Sequence, residues 1–234
     1  TAQLLDHILR LTGQATGLAC AQGVFLGTLP VTAQGLSPGA AAQTLLINRL
    51  TEIVVIENSI ETLLNEGLAY DRCQVGVVTA LDAADVLPAY HIDTSERLFN
   101  VVRTQVDVVL PDGVAVLNAA CSLVRDMAAL CDGEVIFFAA SIADDVATAE
   151  AIAAHRAQGG RAVLVHDGVI LLATGDQAQP LLTLANLPAL TAQGKIGASD
   201  TATNEKLTPF LAAIGAAWAL NVPLATLRTG IETF

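Results

Sequence analysis

Short apolar runs rich in β-branched residues alternate along this chain with segments whose apolar residues recur at helical spacing. The strand-like runs cover residues 17–21, 53–57, 75–79, 114–118, 134–139 and 161–166, and the helical patterns include residues 39–48, 95–108 and 143–158. Continuous apolar strands separated by helices are typical of a parallel sheet covered on both faces. The alternation therefore predicts a doubly wound α/β fold, with a mostly parallel sheet flanked by helices.

Turn and cap residues refine this prediction. The tripeptide His-Asp-Gly at 166–168 separates two apolar runs and predicts a late antiparallel hairpin, because Asp-Gly suits tight hairpin turns. Pro-Asp-Gly at 111–113 predicts a turn, and Thr94 or Ser95 is expected to cap a helix. Helical patterns also cover residues 1–11, 207–220 and 224–232. No repeat or linker divides the chain, so we expect one domain over residues 1–234.

Composition excludes several classes of partner. The chain has 234 residues, of which 53% are hydrophobic and 15% charged, and its formal net charge is −12. Nucleic acids and anionic membranes are bound through clusters of Lys and Arg, and the sequence has none. Apolar runs are too short to span a bilayer, and no basic region followed by an apolar stretch marks a signal peptide. We therefore expect a cytoplasmic protein that binds neither nucleic acid nor membrane.

Cysteine and histidine give no sign of a metal or nucleophile site. The four cysteines, Cys20, Cys73, Cys121 and Cys131, form no C-x-x-C pair and are expected to be reduced and mostly buried. None of them has zinc-like spacing with a histidine. His7, His155 and His166 are expected to face solvent, and His91 follows a segment considered below. No G-x-S-x-G elbow is present.

Several segments carry a family resemblance. They are EGLAYDRC at 66–73 with VGVVT at 75–79, the stretch from IDT at 92–94 through VVRTQ at 101–105 to DVVLPDG at 107–113 and AVLNA at 115–119, CDGEVIFF at 131–138, GGRAV at 159–163, AAWAL at 216–220 and GIETF at 230–234. Together they resemble the Mur-ligase-like part of bacterial cyanophycin synthetases, in the family's order and over nearly the whole chain.

The resemblance implies a fold and a reaction. It implies the central domain of a Mur-type ligase, within a protein that also carries an ATP-grasp module adding Asp to a polymer backbone. The Mur-like module would activate the Asp side-chain carboxylate as an acyl phosphate, which the amine of Arg then attacks. ATP and Mg²⁺ are the cofactors that the family implies, and they need a phosphate cradle and acidic or imidazole ligands.

The phosphate-binding loop of such ligases does not occur in this sequence. The resemblance implies a strand and a G-x-x-x-x-G-K-[ST] loop ahead of Thr1, and a further lobe after Phe234. Lys195, in Gly-Lys-Ile-Gly at 194–197, does not form this loop, because the spacing is wrong and no strand leads directly into it. Truncation is one explanation of both missing parts.

Other expected site residues are replaced within the chain. The resemblance implies Glu and then Arg-Gly-Gly after the run at 53–56, and here Glu57 is followed by Asn-Ser-Ile at 58–60. The family's Asn is Ala80, and its Asp-His-Leu-Gly is Asp-Val-Leu-Pro at 85–88, so the histidine expected to face Mg²⁺ is Val86. His91 is considered, and not favoured, as its substitute.

A further replacement follows the run at 114–118, where two aspartates are expected after Asn118 and the chain has Ala120 and Cys121. Three candidates remain. Glu57 and Asp85 are vestigial catalytic candidates, Glu57 is also a candidate metal ligand, and Asn118 is a candidate nucleotide contact. Each residue also has an alternative without a functional role. Glu57 is then a solvated carboxylate, Asp85 a helix cap or turn residue, and Asn118 a turn residue.

Three hypotheses follow. The first is a degenerate, structural ligase domain that binds no ATP or Mg²⁺ itself. It would pack on other domains of a parent synthetase, within a homo-oligomer, and its acidic surface would attract the arginine side chains of a cyanophycin polymer. The second is a fragment of an active ATP-dependent ligase that adds Arg to Asp side chains. The third is a small-molecule binding protein that reuses the crevice at the strand ends.

Overall fold

The computed structural model describes residues 1–31, 35–81, 87–142, 145–187 and 201–234, with the backbone alone at 201–203. The strands are β1 (Thr16–Cys20), β2 (Gly23–Leu26), β3 (Leu29–Val31), β4 (Ile53–Ile56), β5 (Cys73–Val78), β6 (Val109–Asn118), β7 (Glu134–Ala139), β8 (Arg161–His166), β9 (Val169–Thr174) and β10 (Gln177–Thr183). The helices are α1 (Ala2–Arg10), α2 (Pro38–Leu46), α3 (Ile60–Asn65), α4 (Ser95–Val102), α5 (Thr104–Asp107), α6 (Ser122–Asp126), α7 (Val146–Ala157), α8 (Thr201–Ala219) and α9 (Leu224–Glu232).

The larger sheet has the strand order β10-β9-β8-β7-β6-β5. Strands β5 to β8 are parallel, whereas β9 and β10 are antiparallel to their neighbours. Strands β8 and β9 form the hairpin that the sequence predicts. Asp167 and Gly168 at its turn have φ of 47° and 72°, the left-handed pair that a two-residue hairpin turn requires. The predicted hairpin is confirmed.

A second, smaller sheet has the order β3-β2-β1-β4. Here β1 is parallel to β4 and antiparallel to β2. The mostly parallel α/β fold is confirmed, but its strands divide between two sheets. The apolar runs of β4 and β5 predict buried strands equally well, and nothing in either run indicates that the two do not pair.

The core lies on both faces of the larger sheet. One cluster packs α1, α8 and α9 on one face, and it also contains Leu18 of β1 and Val55 of β4. A second cluster covers the other face and includes Leu98 of α4 and Ile152 of α7. A small third cluster joins α2 to the smaller sheet. The first cluster therefore joins the two sheets, and helices flank the larger sheet as predicted.

Two predicted features differ in the structure. The helix predicted at 95–108 is two helices, α4 and α5, which meet at Arg103. The turn predicted at 111–113 lies inside β6, where the register with β5 shifts between Cys73 and Val75. Proline cannot donate to a ladder and is tolerated at such irregularities. Residues 110–113 therefore form a bulge opposite Gln74 and not a chain reversal. Gly113 is closely packed there, since a Cβ would lie 2.6 Å from the Gln74 carbonyl oxygen.

Candidate functional site

A groove of about 920 Å³ runs between β4 of the smaller sheet and β5 of the larger one. Every residue of both strands lines it, together with Thr1 at the start of α1. A second cavity, of about 330 Å³, lies beside β1, α2 and the start of α3. Glu57 and Asn58 line both cavities. The carboxyl end of β4 is therefore where the two cavities meet.

Glu57 directly follows β4 and is exposed. Its N–H donates to the Ala19 carbonyl at 2.8 Å, and its Oε2 accepts from the Ala21 N–H at 3.2 Å. Thr1, at the start of α1, lines the same groove. Glu57 therefore connects the ends of β4 and β1 and contributes its charge to the groove.

Asn58 forms a polar cluster with two groove residues that the sequence analysis did not select. Its Nδ2 donates to the Tyr70 hydroxyl at 3.3 Å and to Gln105 Oε1 at 3.2 Å. Burial, the largest effect, raises the pKa of Tyr70 to about 12. Asn58 is the second residue after β4, and a polar residue so close to a strand end is the signal by which the sequence could have indicated this cluster. The sequence offers no comparable signal for Tyr70 or Gln105.

Asn118 ends β6 and is 9% exposed. Its Nδ2 donates to the Thr79 carbonyl at 2.7 Å, and its Oδ1 accepts from the Ala120 N–H at 3.0 Å. Both ends of the side-chain amide are thus used within the protein. The residue links the carboxyl ends of β5 and β6, where the sequence placed a candidate nucleotide contact.

The residues after Asn118 also bond internally. The Cys121 thiol donates to the Leu81 carbonyl at 3.3 Å, and Arg125 Nη1 donates to the Ala119 carbonyl at 2.8 Å. Beside them, Asp145 accepts from the N–H groups of Ala147 and Thr148 at the start of α7. Hydrogen bonding, first of all from the Thr148 side chain, lowers the pKa of Asp145. This edge of the sheet is closed by helix caps and carbonyl contacts.

Asp85 and Val86 lie outside the described residues, as does Lys195. Of the histidines, His166 is exposed as expected, with 68% of its side chain accessible. His7 accepts or donates a hydrogen bond at Thr233 Oγ1, 2.9 Å away, and burial lowers its pKa. The structure therefore brings Glu57 and Asn118 to strand ends but says nothing of Asp85.

The prediction for His155 is wrong. Its ring is half-buried, lies edge-on to Phe137 with centroids 4.8 Å apart, and has Nε2 3.1 Å from the carbonyl oxygens of Val135 and Arg161. The ring occupies the space beside Gly160, whose Cβ would lie 2.3 Å from Nε2. His155 therefore packs into the structure instead of facing solvent.

The cysteines are free but only half-buried, which corrects the expectation that most are buried. Burial raises the pKa of Cys73 to about 11, so its thiol is not an activated nucleophile. Within the described ranges, no three His, Cys, Asp or Glu side chains come together as metal ligands do. No helix in the same ranges has the length and apolar character needed to cross a membrane.

The residues at these strand ends do not fit a Mg²⁺-ATP site. Such a site needs several free oxygen ligands and phosphate donors at one place. Asn118 has both polar ends engaged, Ala80 and Ala120 have no ligating atom, and the Cys121 thiol points its hydrogen at a carbonyl. Glu57 is the one candidate in the described part of the chain that keeps a free carboxylate oxygen.

Comparison with known proteins gives two kinds of match, although no family model matches the chain. The chain is 30% identical over 239 aligned residues to a cyanophycin synthetase of Crocosphaera subtropica, and equally to one of Nostoc sp.. Both alignments cover all of the chain but only 25% and 24% of the relatives. The chain thus spans about a quarter of the length of the curated relatives that it matches.

Solved structures show the same fold. A UDP-N-acetylmuramoyl-L-alanyl-D-glutamate–2,6-diaminopimelate ligase superposes with a TM-score of 0.64 at 13% identity, over 100% of this chain and 43% of the ligase. E. coli FolC, solved with DHPP and ADP, superposes with a TM-score of 0.56 at 14% identity, over 99% of this chain and 53% of FolC. Over all of its own residues, the chain is therefore a homologue of the cyanophycin synthetases with the fold of Mur-type ligases.

Proposed function

We propose that this chain is an ATP-dependent-ligase-type domain whose nucleotide site has degenerated and whose role is architectural, within a cyanophycin-synthetase-like protein. The observation that carries the proposal is the double hydrogen bonding of Asn118, to Thr79 and Ala120. A side chain at the carboxyl end of a parallel strand is well placed to contact a bound nucleotide. This one instead holds two strand ends together.

The neighbouring substitutions support the same proposal. Ala80 and the adjacent pair Ala120 and Cys121 stand at two separate points of the sequence, near the carboxyl ends of β5 and β6. Removal of one charge-stabilising group from an active site typically costs about 10²–10³ in rate. A site that still transferred phosphate would not tolerate several such losses, whereas a scaffold that needs only packed strands and helices would.

A domain with an architectural role packs against a partner, and the greater length of the relatives supports the existence of such a partner. Because the chain matches about a quarter of each synthetase, the remaining domains of a parent protein are the partners that we propose, within a cytoplasmic homo-oligomer. The net charge of −12 would in addition attract a polymer that carries arginine side chains, in a salt-sensitive manner.

The alternative is a fragment of an active ligase that joins Arg to Asp side chains with ATP. Identity of 30% over the whole chain to proteins named synthetases favours it. Under this alternative Glu57 and Asp85 would hold Mg²⁺, and the phosphate loop would lie ahead of Thr1. The two proposals therefore differ in the role of Glu57 and Asp85, which hold Mg²⁺ under the alternative and have no catalytic role under the first proposal.

The parent synthetase provides the test. We would compare deletion of residues 1–234, the double variant Glu57→Ala with Asp85→Ala, and a control in which two exposed carboxylates are removed, Glu150→Ala with Asp176→Ala. The architectural role requires the deletion to damage assembly or solubility while both double variants synthesise polymer normally. A loss of about 10²–10³ in arginine incorporation in the first double variant alone would establish the active ligase instead.

A further inference from the structure

The turn between α2 and β4, residues 47–52, exposes apolar side chains to solvent. Ile47 and Leu50 are 80% and 78% exposed, the highest values for large apolar residues in the described part of the chain. Leu46, which ends α2 directly before them, is 42% exposed. Single exposed apolar residues are ordinary, whereas a contiguous group with polar neighbours marks an interaction site. The 47–52 turn is therefore a candidate contact surface.

This turn has a fixed backbone conformation. The Asn48 N–H donates to the Leu45 carbonyl at 3.2 Å, and the Thr51 N–H donates to the Asn48 carbonyl at 3.1 Å. The Asn48 side chain accepts from the Leu50 N–H at 2.9 Å, and the Thr51 hydroxyl donates to the Leu45 carbonyl at 3.3 Å. A surface that is already ordered loses little conformational entropy when a partner binds.

Arg49 lies between the two exposed apolar residues and has no partner among the residues that the structure describes. Every other arginine donates a hydrogen bond to an oxygen atom of the protein, namely Arg10, Arg72, Arg97, Arg103, Arg125, Arg156, Arg161 and Arg228. Arginine is enriched at protein interfaces, where its guanidinium group pairs with carboxylates. The free guanidinium of Arg49 is thus available to an anion outside its own chain.

Glu52 provides a fixed anion in the same turn. Its side chain is exposed, and its Oε2 accepts from the Ala15 N–H at 2.8 Å. Its own N–H donates to the Ala15 carbonyl at 2.8 Å. These two bonds hold the carboxylate in place without neutralising its charge, and no described cation forms an ion pair with it. The turn therefore carries one free cation and one positioned anion beside its apolar residues.

Such a surface is complementary to itself. In a two-fold dimer, residue i of one copy contacts residue j of the other, and residue j contacts residue i. Arg49 can then pair with Glu52 of the partner subunit, and the reverse pair forms at the same time, while Ile47 and Leu50 lie nearer the axis. Because the net charge is −12, two copies repel each other over most of their surface. A contact between copies needs a region that carries both signs of charge.

We propose that the 47–52 turn is the contact between two copies of this chain, formed by Ile47 and Leu50 at the centre and by two reciprocal ion pairs of Arg49 with Glu52. The proposal specifies a surface for the homo-oligomer of the proposed function and rests on that part of it. A stable interface takes about 20–30 residues from each partner. A turn of six residues therefore makes a weak contact, which depends on protein concentration and which chemical crosslinking can trap.

Cysteine crosslinking in the parent synthetase locates the contact. A residue close to a two-fold axis meets its own copy, so one introduced cysteine is enough to join two molecules. Leu50→Cys is compared with Val146→Cys, at an apolar residue of α7 that is 72% exposed. With a short bismaleimide, we expect Leu50→Cys to form covalent dimers at least about tenfold faster than the control, because proximity raises the effective concentration of the thiols.

Charge exchange then tests the ion pairs in the Leu50→Cys protein. Arg49→Glu and Glu52→Arg each place like charges together, and each should slow crosslinking at least about tenfold. When the two variants are mixed, opposite charges meet again, and dimers that contain one copy of each should form at the original rate. Ile47→Asp, which leaves the Ala15 bonds intact, should slow crosslinking by a similar factor. Circular dichroism checks that each variant is folded.

Three results would overturn the proposal. One is equal crosslinking of Leu50→Cys and Val146→Cys, which would indicate random collisions. Another is a mixture of folded charge variants that crosslinks no faster than either variant alone. The last is a crosslink from position 50 to another part of the same molecule, which would identify another domain as the partner. Polymer synthesis by the Glu57→Ala, Asp85→Ala variant tests the degenerate nucleotide site separately, so the two failures are distinguishable.

Discussion

Asn118 donates its side-chain N–H to the Thr79 carbonyl across 2.7 Å, and this bond connects the ends of two adjacent parallel strands. The same side chain accepts from Ala120 and is almost completely buried. Buried polar groups that lose a partner retain the cost of their desolvation. The bond therefore gives Asn118 a structural role that can be measured without any ligand.

Substitution of Asn118 should destabilise the fold. We expect Asn118→Ala to lower the free energy of unfolding by about 1–3 kcal/mol, because the Thr79 carbonyl and the Ala120 N–H both lose their partner. Urea denaturation measures the change. Asn100→Ala, at an exposed position of α4, is the matched control and should change stability by no more than about 0.5 kcal/mol. Equal effects of the two substitutions would contradict the structural role.

Nucleotide binding should be absent even when upstream residues are present. We expect calorimetric titration of Mg²⁺-ATP into a chain extended ahead of Thr1 to give no binding in the micromolar range. The reason is that Ala80, Ala120 and Cys121 provide no free ligands near the ends of β5 and β6. Circular dichroism of the same sample controls for folding. A micromolar dissociation constant would show that the site works with a different set of residues.

Alkaline pH should destabilise the protein through Tyr70. Its pKa is raised to about 12 in the folded state, mainly by burial, from an ordinary value of 10.0. The neutral phenol is favoured in the folded protein, so this contribution is complete below about pH 10 and is lost as pH rises toward 12. The loss approaches about 1.4 kcal/mol per pH unit inside that window.

Tyr70→Phe isolates this effect. The variant loses the bond from Asn58 at every pH, which lowers its stability by a constant amount. Its unfolding free energy should therefore fall less steeply than that of the wild type between pH 10 and 12. Parallel slopes for the two proteins in urea denaturation across that range would show that Tyr70 does not titrate as the structure implies.

The β8–β9 turn provides a test of backbone conformation. Gly168 has φ of 72° and open space around its Cβ position, so Gly168→Ala should cost about 1 kcal/mol for conformational reasons alone. At the adjacent position Asp167 has φ of 47°, and Asp167→Gly should have little effect or slightly stabilise the turn. Thermal unfolding of both variants measures the difference. Wild-type stability of the Gly168→Ala variant would contradict the turn geometry.

Local signals predicted much of this fold. The Asp-Gly dipeptide predicts the β8–β9 hairpin because the turn depends only on a few adjacent residues. The alternation of apolar runs with helical patterns predicts the α/β class. The division into two sheets depends on which strands pair, and pairing between distant segments leaves no mark in a run such as that of β4. The sequence indicates that Asn118 lies at the end of a strand, but an amide can bond a ligand or a carbonyl equally well. The sequence does not distinguish these two uses.

The two sheets have outer edges at β3 and β10 and inner edges at β4 and β5, and these edges differ in a way that affects the 234-residue chain when it is produced separately. Pro30, Pro180 and Arg228 keep neighbouring molecules from adding strands at the outside of the sheets. Among the described residues, no strand pairs with the edges of β4 and β5 that face the groove, and neither strand contains a proline or a charged residue. Main-chain groups of these two strands are therefore open to any extended segment that reaches the groove. Aggregation of the separately produced chain would therefore begin at the groove between β4 and β5. A short apolar peptide added in excess should occupy the groove and keep the preparation soluble.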